Sequence, residues 1–344
     1  MGAGHCNGRE GVIHSPTDCP QTGLRQGRTH DSWVHHWSMD TDQWQGAVTR
    51  AELIAQRHTP SEIRTALQDN LIRPLAPGIY ASPALWDEPM ETRHGELGKA
   101  TLRKLGGNYL LGAHSAAAVY GLPLWGVDLR VVHLVQPTTD SGTGSRTSRR
   151  IRIHRDARPS ASMRINGVPV SSPARAIVDL ARRSSTASAV VTGDAALHRG
   201  LCTVPELLAE LDLIAGFPGH PKARRAVEMM DARSESALES RSRVSMHDAR
   251  LPLPTLQYEV LDNHGRFLAR VDFAWVEHRV IGEADGVIKY NNDDIRSVLD
   301  REKYRADRIV EQGWRIVRWS STDLDTPRLV VNRIRHALSQ SRVA

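Results

Sequence analysis

Four acidic residues in the last third of the chain have the types and spacing of a cation-binding site. Asp272 lies inside the apolar run 271–275, and Glu283 and Asp285 end the next predicted strand. Alternation along that strand places Glu283 and Asp285 on the same face. Glu239 comes from a preceding predicted helix. Carboxylates that converge among apolar residues need a proton or a cation between them, so these side chains predict a shared site.

Carboxylate oxygens grouped in this way favour Mg²⁺ or Mn²⁺. A bound divalent cation lowers the pKa of a coordinated water and stabilises charge that builds on a phosphoryl oxygen. Lys289, just beyond the turn at Gly286, is placed to orient the attacking water or to neutralise that charge. The alternative is a set of surface carboxylates beside a turn that Asp285 and Gly286 form.

The elements that position these acids follow from the hydrophobic pattern of residues 231–344. A helix is expected over 234–249, and Pro252 and Pro254 prevent it from continuing. Alternating residues predict three strands, after which a second helix ends at Gly313 and a last strand completes the order. The predicted ranges are strands 256–261, 266–275 and 279–284, helix 293–311 and strand 314–319.

Asp272 followed by Glu283-x-Asp285-Gly286 resembles the restriction-endonuclease-like PD-(D/E)XK superfamily. The resemblance is closest to the branch related to very-short-patch-repair (Vsr) endonucleases, which is often found in actinobacterial proteins. Supporting segments occur in the same order: ALESRSR (237–243), LPLPTLQYEV (251–260), RVDFAW (270–275), GEADG (282–286) and GWRIVRW (313–319). The resemblance implies an α/β domain over 231–344, with a mixed sheet flanked by helices, that hydrolyses DNA with Mg²⁺ or Mn²⁺.

The same resemblance assigns roles to individual side chains. The metal ligands are expected to be Asp272, Glu283 and Asp285, with Glu239 and Lys289 completing the catalytic set and Gln257 on the same face. Two departures from the family pattern bear on activity. The superfamily's lysine is expected where this chain has Asp285, so Lys289 is an offset substitute. Vsr enzymes carry a structural zinc, whereas residues 231–344 contain no cysteine, so no zinc is expected.

The first regular part of the chain, residues 46–82, has the pattern of a winged helix-turn-helix. Thr49 and Glu52 predict the start of one helix, and Thr59-Pro60 predicts the start of a second. Residues 71–80 read as two short strands around a Pro-Gly turn. The second helix would offer four polar side chains to a DNA major groove: Ser61, Arg64, Thr65 and Gln68.

Residues 49–81, which end in LIRPLAPGIYAS, resemble the winged helix of AbiEi-type antitoxin regulators. Two further segments resemble the domain that follows in that family, GAHSAAA (112–118) and VSSPARAIVDL (170–180), so an α+β companion domain is expected over 83–230. The resemblance adds a cognate toxin as a candidate partner. In this part, His114 is expected to cap or pack a helix. Arg175 and Asp179 are expected to form a helix-surface ion pair, because they are four residues apart.

The chain carries a formal net charge of +6, and arginine is concentrated between residues 146 and 158. Six arginines lie in that run beside one acid, Asp156. Arg149, Arg150 and Arg152 are therefore predicted to contact DNA phosphates, the alternative being a solvated strand and loop.

The composition of the 344 residues limits the remaining function classes. No apolar run is long enough to span a membrane, no signal peptide begins the chain, and three cysteines do not frame a disulfide scaffold, so a cytoplasmic location is expected. Residues 1–45 are expected to be a disordered leader, with Met39 as an alternative start.

The prediction is a multidomain α+β and α/β protein that cleaves DNA. The alternative is an AbiEi-like regulator with a degenerate nuclease-like domain, and a homodimer stays open for either.

Overall fold

The computed structural model describes residues 46–139, 145–285 and 295–340, with side chains from 301 onward in the last range. The predicted leader, with Met39, lies outside these ranges. The first elements are β1 (Ala47–Thr49), α1 (Arg50–Ala55), α2 (Pro60–Gln68), β2 (Arg73–Ala76) and β3 (Ile79–Ala81), and the strands form an antiparallel sheet in the order β1-β3-β2. Both predicted helices and the hairpin are confirmed. Each helix begins with a capping box, in which a threonine hydroxyl and a glutamate carboxylate satisfy free backbone N–H groups.

A six-stranded mixed sheet follows and forms the middle of the chain. The helices and strands of this part are α3 (Met90–Leu105), β4 (Leu110–Leu111), α4 (Ala113–Val119), β5 (Val132–Pro137), β6 (Ser145–Thr147), β7 (Ile151–Asp156), β8 (Ser162–Ile165) and β9 (Val168–Ser171). The order is β6-β7-β5-β4-β9-β8, in which β5 pairs with β7 and β4 with β9 in parallel. Leu111 and Leu134 are fully buried on this sheet.

Five helices pack together after this sheet. They are α5 (Pro173–Arg183), α6 (Thr186–His198), α7 (Val204–Asp212), α8 (His220–Glu228) and α9 (Ala237–Asp248). Their shared core includes Ile177, Val190 and Leu211, none of which is exposed to solvent. Ser240 on α9 donates a hydrogen bond to Asp194 on α6 at 2.7 Å, which joins the last of these helices to the others.

The C-terminal sheet has the order of elements that the sequence predicts. Helix α9 precedes β10 (Thr255–Leu261), β11 (Phe267–Trp275), β12 (Val280–Ala284), α10 (Ile295–Glu311) and β13 (Arg315–Trp319). The strand order is β10-β11-β12-β13, antiparallel except for the parallel pair β12–β13, so the predicted mixed sheet is confirmed. Two helices that were not predicted, α11 (Ser321–Leu324) and α12 (Pro327–Gln340), follow. Phe273 and Trp319 stack in the core with ring centroids 5.5 Å apart.

The described part of the chain is therefore a mixed α and β structure with several sheets, as its sequence predicts. The helices among the described residues include none with the length and apolar character that crossing a membrane requires.

Candidate functional site

The strand register aligns one residue from each strand of the C-terminal sheet. Glu283 pairs directly with Arg318 on β13. The registers on either side of Asp272 place it between Gln257 on β10 and Glu283 on β12. We call Gln257, Asp272, Glu283 and Arg318 the central row. Because residues that lie opposite one another in a sheet project to the same face, the two predicted acids of this row meet there.

Burial and neighbouring carboxylates make Asp272 the most perturbed acid of the group. Burial raises the pKa of Asp272 to about 6, and the negative charges of Glu239, Glu283 and Asp285 add to the rise. The Ala284 N–H donates a hydrogen bond to the Asp272 carboxylate at 2.8 Å, which opposes the shift. Burial also raises the pKa of Asp285. The structure thus brings the other three predicted acids within electrostatic range of Asp272.

Two arginines that the sequence analysis missed neutralise Glu283. Arg305 on α10 donates to one carboxylate oxygen at 2.8 Å, and Arg318 donates to the other at 2.7 Å. Glu302 accepts a hydrogen bond from Arg318 at 3.0 Å and also pairs with Arg305, which ties the two guanidinium groups together. Asp285 lies 3.7 Å from Arg318 and its side chain is 53% exposed. Glu283, which is buried, is therefore paired with two cationic side chains of the protein.

Glu239 is held at the start of α9 by hydrogen bonds rather than by a cation. Its carboxylate accepts from the Gln257 side chain at 2.9 Å and from the Glu235 N–H at 3.0 Å. Gln257 has φ of 50° inside β10, a conformation that is costly for a residue with a side chain. The strained residue is the one that contacts Glu239, so the strain lies beside the acids.

In the arrangement observed, Glu283 is bound by arginine rather than left open to a divalent cation. Over 46–139, 145–285 and 301–340, no three His, Cys, Asp or Glu side chains are grouped so as to hold a metal ion. Both oxygens of Glu283 already accept hydrogen bonds from arginine. Lys289 and Gly286 lie outside the described residues.

The four side chains predicted to face DNA lie together on α2. Ser61, Arg64, Thr65 and Gln68 are all exposed, whereas Ile63 and Ala66 on the opposite face are buried. The arginines between residues 146 and 158 also include both exposed and buried side chains. Arg149, Arg150 and Arg152 are exposed, but the Arg158 side chain is only 6% exposed and pairs with Asp156 and Asp179.

The predicted surface pair of Arg175 and Asp179 is wrong. Both residues are buried, and they bind different partners: Arg175 donates to Glu210 at 2.9 Å, whereas Asp179 accepts from Arg158 at 2.7 Å. Helical spacing does not decide this pairing, because Arg175 binds an acid on α7 and Asp179 binds an arginine from the segment that follows β7.

His114 is buried in α4 and belongs to a row of four histidines that sequence analysis did not detect. The rings of His94, His114, His133 and His154 follow one another at centroid distances of 5.0, 4.4 and 5.0 Å. Burial lowers the pKa of His94 to about 3, of His133 to about 2 and of His154 to about 4, and it lowers that of His114 as well. The histidines come from four elements well separated along the chain, so no local spacing marks the row.

Comparison with known proteins places the chain beside two proteins of Mycobacterium tuberculosis. No protein-family model matches the sequence. "Uncharacterized protein MT2308" of strain CDC 1551 / Oshkosh and "Uncharacterized protein Rv2248" of strain H37Rv are each 31% identical to it over 242 residues. The match covers 70% of this chain and 85% of each relative. The chain therefore belongs to the protein family of Rv2248 and MT2308.

Proposed function

We propose that the protein is a DNA-binding regulator whose N-terminal elements form a winged helix-turn-helix, with α2 as the recognition helix. The observation that carries this proposal is the polar face of α2, where Ser61, Arg64, Thr65 and Gln68 are exposed above a buried Ile63. A helix that enters the major groove needs such a face, because base edges are read by side-chain donors and acceptors.

The proposed role of the C-terminal sheet is a nuclease-like scaffold that acts without a resident divalent cation. Arg305 and Arg318 neutralise the acid that a metal would otherwise bind. With Arg149, Arg150 and Arg152 exposed for phosphate contact, DNA is the proposed ligand. The AbiEi resemblance extends the proposal to a cognate toxin as partner.

Binding of the full chain to random and selected duplex DNA tests the regulator function. Arg64→Ala is expected to weaken specific binding by about tenfold, because one base or phosphate contact is lost. Arg224→Ala, an exposed arginine on α8, is the matched control and is expected to leave affinity unchanged. Equal affinities for the wild type and Arg64→Ala would reject α2 as the recognition helix.

A second candidate function, Mg²⁺- or Mn²⁺-dependent DNA cleavage, is favoured by Asp272. It is half-buried on the sheet, and Glu239, Glu283 and Asp285 lie near enough to add to the rise in pKa that burial causes. Cleavage of supercoiled plasmid by the full chain, with Mg²⁺, with Mn²⁺ and with a chelator, separates the two candidates. An enzyme loses cleavage and keeps DNA affinity on Asp272→Ala. A regulator cleaves under none of these conditions.

A further inference from the structure

A cavity of about 450 Å³ lies beside the middle sheet, away from the acids of the C-terminal sheet. Its walls come from β7, the C-terminal end of α5 and the segment 217–219 before α8. Five arginines line it, against two aspartates, Asp156 and Asp179: the arginines are Arg152, Arg155, Arg158, Arg182 and Arg183. The lining is therefore strongly cationic.

The positive charge in this cavity exceeds what the protein neutralises. Asp179 is shared by three guanidinium groups, at 2.7 Å from Arg158 and at 3.3 Å from both Arg182 and Arg183. Burial lowers the pKa of Arg182, and repulsion from Arg183 lowers it further. The Arg152 side chain makes no hydrogen bond to another described residue, although its backbone pairs with β5 and β6.

Arg158 is held by the acids around it. Its side chain is 6% exposed, its Nη2 donates to Asp179 at 2.7 Å, and its Nη1 lies 3.8 Å from Glu210. Nη1 is closed off from solvent, so it is closed off from a ligand in the cavity as well. Arg152, which is exposed, and Arg183, whose side chain is 27% exposed, remain accessible to an anion with several acceptor oxygens.

The start of α8 packs closely against the end of α5 at this cavity. Gly219 has φ of 84°, and a Cβ at this position would lie 2.7 Å from the Arg182 carbonyl oxygen. Only glycine therefore allows the α8 N-terminus to lie this close to α5. The N-terminus of the helix adds a partial positive charge to the same wall.

We propose that this cavity binds the phosphate monoester of a nucleotide. A monoester carries close to two negative charges and three acceptor oxygens, which match the excess of arginine better than the single charge of a phosphodiester. The volume exceeds that of a phosphate group, so the nucleoside has space beside it. The phosphate is carried either by a free mononucleotide or by the 5′ end of a nucleic-acid strand. The site shares Arg152 with the proposed DNA phosphate contacts but is separate from α2 and from the central row.

Calorimetric titration of the full chain tests the proposal. A deoxynucleoside 5′-monophosphate is expected to bind, and the corresponding deoxynucleoside is not. Arg152→Gln and Arg183→Gln are each expected to weaken binding by about tenfold, because each removes a charge-assisted hydrogen bond. Arg164→Gln, an exposed arginine on β8 outside the cavity, is the control. Because the Arg152 side chain is exposed and makes no hydrogen bond within the described residues, Arg152→Gln is expected to leave the fold intact, and circular dichroism checks this.

Oligonucleotides with a 5′-phosphate or a 5′-hydroxyl distinguish the two sources of the phosphate. Preference for the phosphorylated strand assigns the cavity to strand ends, and binding of the monophosphate without that preference assigns it to free nucleotides. The proposal is overturned if neither phosphate is preferred over its unphosphorylated counterpart. It is equally overturned if Arg152→Gln and Arg183→Gln bind the monophosphate as tightly as the wild type.

Discussion

Replacing Asp272 by asparagine is expected to stabilise the protein at neutral and alkaline pH. The aspartate is ionised there, half-buried, and near Glu239, Glu283 and Asp285. Asparagine has nearly the same shape and retains an oxygen that can accept the hydrogen bond from Ala284. The substitution therefore removes an unfavourable charge without opening a cavity.

The size of the effect follows from the pKa of Asp272. A rise from 3.8 to about 6 corresponds to about 3 kcal/mol of unfavourable free energy in the ionised folded state. Because Asp272 is only half-buried, solvent screening reduces this to about 2 kcal/mol. The penalty is complete above pH 6. It declines as pH falls towards 3.8, because the folded protein takes up its proton before the unfolded chain does.

Urea unfolding of the wild type and Asp272→Asn at pH 8, 6 and 4.5 measures this difference. The variant is expected to be more stable by about 2 kcal/mol at pH 8, with the difference shrinking towards acid. Asp307→Asn, an exposed aspartate on α10, is the control for a change of surface charge. A variant that is no more stable than the wild type at pH 8, or a difference that does not change with pH, would refute the electrostatic account of Asp272.

Three further substitutions test other parts of the structure. Burial lowers the pKa of His133 to about 2, whereas the histidine of the unfolded chain takes up a proton near pH 6.5. The wild type should therefore lose about 1.4 kcal/mol of stability relative to His133→Gln for each pH unit below 6.5. Denaturant unfolding at pH 7.5 and 5 measures the difference in stability, and a difference that is the same at both pH values contradicts this expectation. Gly282→Ala should lower stability by about 1–3 kcal/mol in thermal unfolding, because its Cβ would lie 2.6 Å from the Trp319 ring, and unchanged stability would show that the ring can move. Asp179→Asn should cost about 3–5 kcal/mol in urea unfolding, because three arginines lose a buried partner, and a loss below about 1 kcal/mol would reject the buried cluster.

The helices and strands around the acids were predictable because their signals are local. Hydrophobic alternation and capping residues depend on neighbours a few positions away, so the order of helix, three strands, helix and strand was predicted and is observed. The position of Asp272 inside an apolar strand also marked it as a perturbed acid before the sheet was known. Both capping boxes at Thr49 and Thr59 are of the same local kind.

Charge pairing was not predictable in this way. Arg318 binds Glu283 because β13 joins β12 in parallel, and Arg305 binds the same acid from the helix between those strands. Arg175 and Asp179 have the spacing of a helical pair, yet each binds a side chain from a distant element.

The sequence by itself determined the type and order of the main helices and strands in residues 49–81 and 234–319, and the presence of acids that share one strand face. Only the tertiary structure decided that arginines neutralise Glu283, that four histidines form a row, and that five arginines surround one cavity. The physical reason is the separation along the chain of the residues that interact. Secondary structure responds to residues within a few positions, whereas burial and ion pairing depend on which distant strands and helices pack together.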